Sequence, residues 1–323
     1  RTDSRVKEKV ENINSEIDHH INQCELIMAI SPQISGLNST QQSNSGVNTV
    51  IRVLAKNPVV LVGIIVILFW IVISALAPFI APSDPLAQDV GARLSAPGEE
   101  GYLLGSDELG RDILTRVMYG GRLTLPAALA VVVIDAIIGT IIGALAGYAG
   151  GLWDETMMRI TELFMAFPTI ILAMAITAAL GPDLRNAVIA LAIVRWPNYA
   201  RLTRGLILDV KNEDYVEAAR SLGANHFYIL RKTLLPNTIA PAVVYGTLDI
   251  GNAILLFAGL SFLGLGPEPS SPEWGRMVSI GIDFFDQWWM WLFPGIAIAS
   301  VVMAFNFIGD GLRDILDPRT RKQ

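Results

Sequence analysis

Apolar residues in this chain fall in long unbroken blocks, unlike the short alternating or three-to-four spaced patterns of a soluble domain. From Asn57 to Ser83 no residue is charged, which exceeds the ~20 residues a spanning helix needs. Further blocks run from Leu123 to about Tyr148, Thr161 to Leu180, Asn186 to Leu202, Thr238 to Leu263 and Trp288 to Ile308. The pattern predicts an all-α membrane protein with six transmembrane helices. The third block is expected to kink at Pro168, and Arg195 makes the fourth the weakest by hydropathy. In the second block Gly139, Gly143 and Gly147 recur at every fourth position, a stripe over which another helix packs closely in lipid. A stripe tuned for motion is the alternative reading.

Outside the blocks, Val6, Val10, Ile13, Ile17, Cys24 and Ile27 predict an amphipathic helix within residues 1–30. Residues 31–49 are rich in Ser, Asn, Gln and Gly and read as a flexible linker. His19, His20 and Cys24 lie near one another, but no second ligand cluster supports a metal site there. Ala75-Leu76-Ala77 mimics a signal-peptidase site, yet the apolar run before it is too long for a signal segment, so it reads as an uncleaved first span. Between the first two spans, Leu109, Ile113, Leu114, Val117 and Met118 share one helical face behind Asp107 and Glu108. That predicts a helix lying on the membrane surface.

Composition agrees with the pattern: 52% of residues are hydrophobic and only 17% charged, with mean hydropathy +0.47. A net charge of −6 without a concentrated basic face argues against a nucleic-acid partner. The single cysteine allows no intramolecular disulfide. No Gly-Lys dipeptide occurs, so no P-loop can cradle nucleotide phosphates, and HExxH and GxSxG are absent. The spanning blocks hold no histidine. The chain is therefore read as no enzyme and as binding no cofactor itself.

One charged, helix-prone run lies between two apolar blocks: DYVEAARSLGANHFYILRKTLLPN, residues 214–237. Asp214 is a candidate N-cap for a short helix that Gly223 stops; Asn225 can cap a second, which Pro236 is expected to end. Ala218 and Ala219 give the first helix a small-residue face, and Arg220 is placed to steady Glu217. His226 reads as a surface residue. Glu217, Ala218, Ala219, Gly223, Leu235 and Pro236 resemble the EAA signature of permease subunits of binding-protein-dependent ABC importers, with Thr233 where that family usually has Ile. The strings LLGSDELGRDILTRVMYGGRLTL, GLGPEPSSPEWGRM and GDGLRDILDP are similar to the dipeptide, oligopeptide and nickel branch, so the resemblance covers about residues 50–318.

The resemblance implies a type I ABC importer permease fold: a first span with an external segment (50–122), then a five-helix core (123–318) and a short tail. It implies that the 214–236 loop docks on a cytoplasmic ATPase. The implied partners are a second homologous permease, two ATPase subunits that hold ATP and Mg, a solute-binding protein outside, and the bilayer. Peptide is the implied cargo, with nickel, glutathione or another small solute as alternatives. An ATP-independent secondary transporter is the competing class, but it gives the loop no role. One departure is that AILLFAGLSFLGLG in the fifth span lacks the acid the branch commonly carries there, while Asp249 sits two turns earlier.

Charge sets an orientation independently. Six spans put both termini and the loop on one side, together with Arg52, Lys56, Arg159, Arg201, Arg204, Lys211, Arg220, Arg231 and Lys232. Fewer basic residues fall on the other side, so the loop and both termini are expected in the cytoplasm. Asp107, Arg111, Asp112 and Trp274 then face outward, where a binding protein can land. Asp135 and Asp249 fall near mid-span, and Arg195 about 13 Å into its span at 1.5 Å per residue. Charges at such depth need a partner or a wet cavity. They line the translocation path, or form a buried pair in which Asp135 with Arg195 is the most natural by depth.

Overall fold

The computed structural model describes residues 57–316, all within one compact unit, Leu54–Gln323. The expectations for residues 1–49, including His19, His20 and Cys24, and for the tail beyond 316 lie outside the described residues. Among the described residues the regular elements are helical, apart from a lone bridge between Ser106 and Asp112.

Helix α1 spans Pro58–Ile80; Asn57 caps it by accepting from the Val59 amide at 3.1 Å, and proline stands at its first position, where its missing N–H costs nothing. Helix α2 is one rod of 37 residues, Ile113–Ala149, capped by Asp112, whose Oδ2 accepts from the Thr115 amide at 2.8 Å. The separate surface helix expected over 107–122 is therefore absent. Its apolar face instead starts α2 and packs inward, where Ile113 and Val117 are buried. Helices α3, Gly151–Met165, and α4, Thr169–Leu180, meet at an 85° bend with Pro168 at the break. Helix α5 follows at Leu184–Val210, then α6 at Asp214–Ser221, α7 at Leu235–Phe262, α8 at Trp274–Asp283 and α9 at Trp288–Leu316.

Four of these helices, α1, α2, α7 and α9, are long and apolar enough to cross a membrane, and the bent α3–α4 pair makes a fifth if counted as one broken span. Helix α5 is long enough at 27 residues, but Arg185, Arg195, Arg201 and Arg204 dilute its hydropathy. The contacts between helices fix their directions. A Cβ on Gly139 would meet Tyr199 and Trp196, one on Gly143 would lie 2.2 Å from the Ala200 carbonyl, and one on Gly147 would lie 3.1 Å from that of Arg204. Residue numbers rise together along this contact, so α2 and α5 run parallel and nearly backbone to backbone, as small residues permit in lipid. Phe164 stacks edge-on to Trp196 and Asn186 donates to the Leu180 carbonyl, so α3–α4 returns antiparallel to α5.

Helix α7 runs against α5, with Tyr199 and Tyr245 edge to face at 4.9 Å. Helix α9 runs against both α1 and α7: Trp70 Nε1 donates to Ser300 Oγ at 2.9 Å, and a Cβ on Gly309 would strike Leu248. The main core lies between α2, α5, α7, α8 and α9, with Val131, Leu191, Ile254, Phe257 and Trp274 fully buried. Along α1 the opposite face leaves Val62, Ile65, Leu68, Phe69 and Ile71 about half exposed, an apolar surface suited to lipid.

Candidate functional site

Three groups of residues stand out by position: the loop between α5 and α7, a charged cluster inside the bundle, and a polar staple at the end away from the loop. In the loop, Glu213 rather than Asp214 occupies the cap position of α6, and it makes no side-chain cap bond; Asp214 is the first helical residue. Its carboxylate still lies in the first turn, where the helix dipole favours it. The helix ends in a Schellman motif: the Gly223 amide bonds the Arg220 carbonyl at 2.9 Å and the Ala224 amide that of Ala219 at 3.1 Å. Gly223 holds φ +81°, a conformation that glycine adopts without strain. Asn225 then caps the next turn, its Oδ1 accepting from the Tyr228 amide at 2.7 Å.

Pro236 does not end the second helix. His226–Tyr228 leads into a π-helical stretch, Ile229–Leu234, that runs on directly into α7. Pro236 has no N–H for residue 232 and its ring crowds that carbonyl; widening the preceding turn, with the Leu235 amide bonding Leu230, relieves both. Val216, Ile229 and Leu234 are buried with Ile207 and Ala144, so the loop sits on a small apolar core of its own. Glu217, Ala218 and Arg220 are exposed, and among the ion pairs of the described residues there is none between Glu217 and Arg220. Leu222 is 89% exposed and Phe227 68%, apolar side chains on an otherwise charged projection. Their presence in a polar loop was the signal the sequence offered and the motif obscured.

Inside the bundle, Asp135 of α2, Arg195 of α5 and Asp249 of α7 meet. Arg195 Nη2 donates to Asp249 Oδ1 at 2.5 Å, while its Nε lies 3.3 Å from Asp135 Oδ2. The pair expected by depth is thus one half of a triad, and the tighter half is with Asp249. All three residues are buried. Oδ1 of Asp135 and Nη1 of Arg195 find no hydrogen-bond partner among the described residues. One guanidinium faces two carboxylates at the crossing of three helices, with Tyr199 and Tyr245 beside it.

At the far end, Asp107, Arg111, Asp112 and Trp274, expected as a landing site for a binding protein, are only 3%, 2%, 4% and 0% exposed, so their side chains offer a partner little surface. Asp107 accepts from the amides of Leu109 and Arg111 and from Arg111 Nε at 2.6 Å, and Arg111 also reaches Glu108 at 2.7 Å. Arg116 donates to the carbonyls of Pro85, Ser270 and Ser271. Trp274 enters the space left by Gly120 and Gly121 and donates to the Val117 carbonyl at 2.8 Å. Glu273 is wholly buried and accepts from Thr124 Oγ1 and from the amides of Gly275 and Arg276. Burial pushes its carboxyl above the usual range, and burial followed by the neighbouring Asp107 does the same for Glu108. These residues fasten the loops to α2, and buried charges need such partners. An open cleft of about 470 Å³ lies beside them, bordered by Tyr119, Arg122, Asp183, Glu268 and Pro272.

Long apolar helices crossing in alternate directions, close packing on glycine and buried charge inside the bundle together define a multi-pass membrane protein. The chain belongs to the family described as the binding-protein-dependent transport system inner membrane component, which matches residues 139–322. Residues 48–97 match the N-terminal transmembrane domain of oligopeptide transport permease C. Among its relatives is an Escherichia coli K12 protein named "Probable D,D-dipeptide transport system permease protein DdpC", 40% identical over 90% of this chain and 98% of that one. The dipeptide transport system permease protein DppC of Haemophilus influenzae is 41% identical over 83% of this chain and 92% of its own. The fold is similar to a chain of the inward-facing MetNI methionine ABC transporter, with a TM-score of 0.52 at 20% identity over 64% of this chain and 98% of that chain.

Proposed function

We propose that the chain is a permease subunit of an ATP-driven importer and forms half of a translocation pathway for short peptides. In this reading the bundle crosses the membrane six times, with α3–α4 and α5 as the third and fourth crossings, and both termini lie in the cytoplasm. A second homologous permease completes the pathway, two cytoplasmic ATPase subunits hold ATP and Mg, and a binding protein outside delivers the peptide. The permease holds no nucleotide. The names of the relatives support peptide as the cargo.

The observation that carries the reading is the loop over 214–236. A polar helix whose outer residues are exposed, stopped by a left-handed glycine and seated on its own apolar core, is a rigid grip on which a partner can pull. Closure of a gripping ATPase dimer would tilt α5 and α7 between inward- and outward-open arrangements. The test is affinity purification of the full complex through this chain, with dipeptide uptake measured in proteoliposomes. Glu217→Arg and Gly223→Val are expected to release the ATPase or abolish uptake while leaving the permease in the membrane. Wild-type uptake and ATPase retention in both variants would remove the loop from any coupling role.

A further inference from the structure

The chain itself joins the loop to α5 and α7 but not to α2. Two contacts nonetheless reach α2. The buried cluster of Val216, Ile229 and Leu234 includes Ala144, and the Tyr148 hydroxyl lies 2.7 Å from His226 Nδ1, with the two rings edge to face at 5.8 Å. Lys211 adds a third tie by donating to the Gly147 carbonyl at 3.2 Å. Helix α2 has little freedom against α5, since a Cβ at Gly139 or Gly143 would fall within 2.5 Å of α5 atoms. The joint to α7 is different in kind. It passes through the π-helical stretch and through Pro236 and Pro241, each of which removes a rung from the hydrogen-bond ladder.

We propose that Tyr148 and His226 are positioning residues that fasten the coupling loop to α2, so that a pull on the loop moves α2 and α5 as one body against α7. The proposal rests on the coupling role given to the loop above. Tyr148 is half-buried and His226 exposed in the free chain. A partner seated over the exposed Leu222 and Phe227 would exclude water from the pair and strengthen it when load is applied. The division into bodies also sorts the triad. The Arg195–Asp135 contact lies inside the moving body, whereas the Arg195–Asp249 contact crosses its boundary with α7.

The test uses the assembled transporter with its binding protein in proteoliposomes and labelled dialanine as the probe, read as peptide taken up per ATP hydrolysed. Tyr148→Phe and His226→Phe are each expected to lower that ratio by about three- to tenfold, the range one hydrogen bond spans. The double variant should be no worse than either single one, and the exchange of the two residues (Tyr148→His with His226→Tyr) should restore most of the ratio. ATPase retention should be unchanged throughout. Neutral single variants, additive losses in the double variant, or loss of the ATPase from the complex would each overturn the proposal. Gly223→Val, run alongside, separates the two claims: if it too is neutral, the loop does not couple at all, whereas if only the Tyr148 and His226 variants are neutral, the fastening alone fails.

Discussion

Substituting alanine along the glycine stripe of α2 should destabilise the bundle in an order set by backbone geometry alone. At Gly143 the added Cβ falls 2.9 Å from the Ala200 carbonyl carbon and 2.2 Å from its oxygen, the latter more than an ångström inside ordinary contact. The obstacle is main chain in a helix, so no rotamer change can relieve it, and α2 and α5 must separate along the whole crossing. Overpacking of this kind costs about 2–3 kcal/mol, and the two helices lose dispersion contacts as they part. At Gly139 the nearest atoms are Tyr199 Cβ at 2.4 Å and the Trp196 carbonyl at 2.5 Å, which places it close behind. At Gly147 the nearest contacts are 3.1 Å, to the Arg204 carbonyl and to Ile207 side-chain atoms, and a shift of a few tenths of an ångström suffices. Its cost should stay near ~1 kcal/mol. The assay is the thermal midpoint of the detergent-solubilised, fluorescently tagged chain, scored as the fraction that stays monodisperse after heating. Gly143→Ala should lower the midpoint by about 5–10 °C, Gly139→Ala by somewhat less and Gly147→Ala least. A Gly143→Ala protein as stable as the parent, or Gly147→Ala as the worst of the three, would show that α2 and α5 do not meet in this register.

Three further outcomes follow from the buried groups. Arg195→Met leaves the buried Asp135 and Asp249 without a cation and should cost about 3–5 kcal/mol, seen as loss of monodisperse protein; converting both acids to leucine in the same chain should recover most of it, and normal accumulation of the single variant would contradict the triad. Trp274→Ala empties the space over Gly120 and Gly121 and removes the indole donor to the Val117 carbonyl, so a loss of about 3–5 kcal/mol is expected in the same thermal assay, against near-neutral behaviour for the exposed Trp153→Ala. Glu273 and Glu108 have carboxyl groups raised above 4.5 in the folded chain, so the folded state binds more protons than the unfolded one between 4.5 and the raised values. With respect to these two groups stability should therefore be fully present below pH 4.5 and fall as pH rises through that window. A contribution of opposite sign, isolated by comparing the parent with Glu108→Gln, would refute the burial argument.

The order of residues alone located the long apolar helices, because a backbone in lipid must satisfy its own hydrogen bonds and needs a long apolar stretch to do so. It also determined the local chemistry of the loop: the left-handed stop at Gly223 and the cap at Asn225 depend only on neighbouring residues. Pro168 marked the bend for the same reason. What it left open were decisions between distant parts of the chain. Depth along separate helices paired Arg195 with Asp135, but helix rotation and the antiparallel approach of α7 gave Arg195 its closer partner in Asp249. A periodic face over Leu109–Met118 cannot say whether it meets lipid or protein, and the return of Trp274 across 157 residues turned it inward. The same return buried Asp107, Arg111 and Asp112, which a linear reading places on an open surface. Periodicity and capping act within a turn or two of helix, whereas partner choice, burial and the tie between Tyr148 and His226 arise only when elements far apart in the chain compete for the same space.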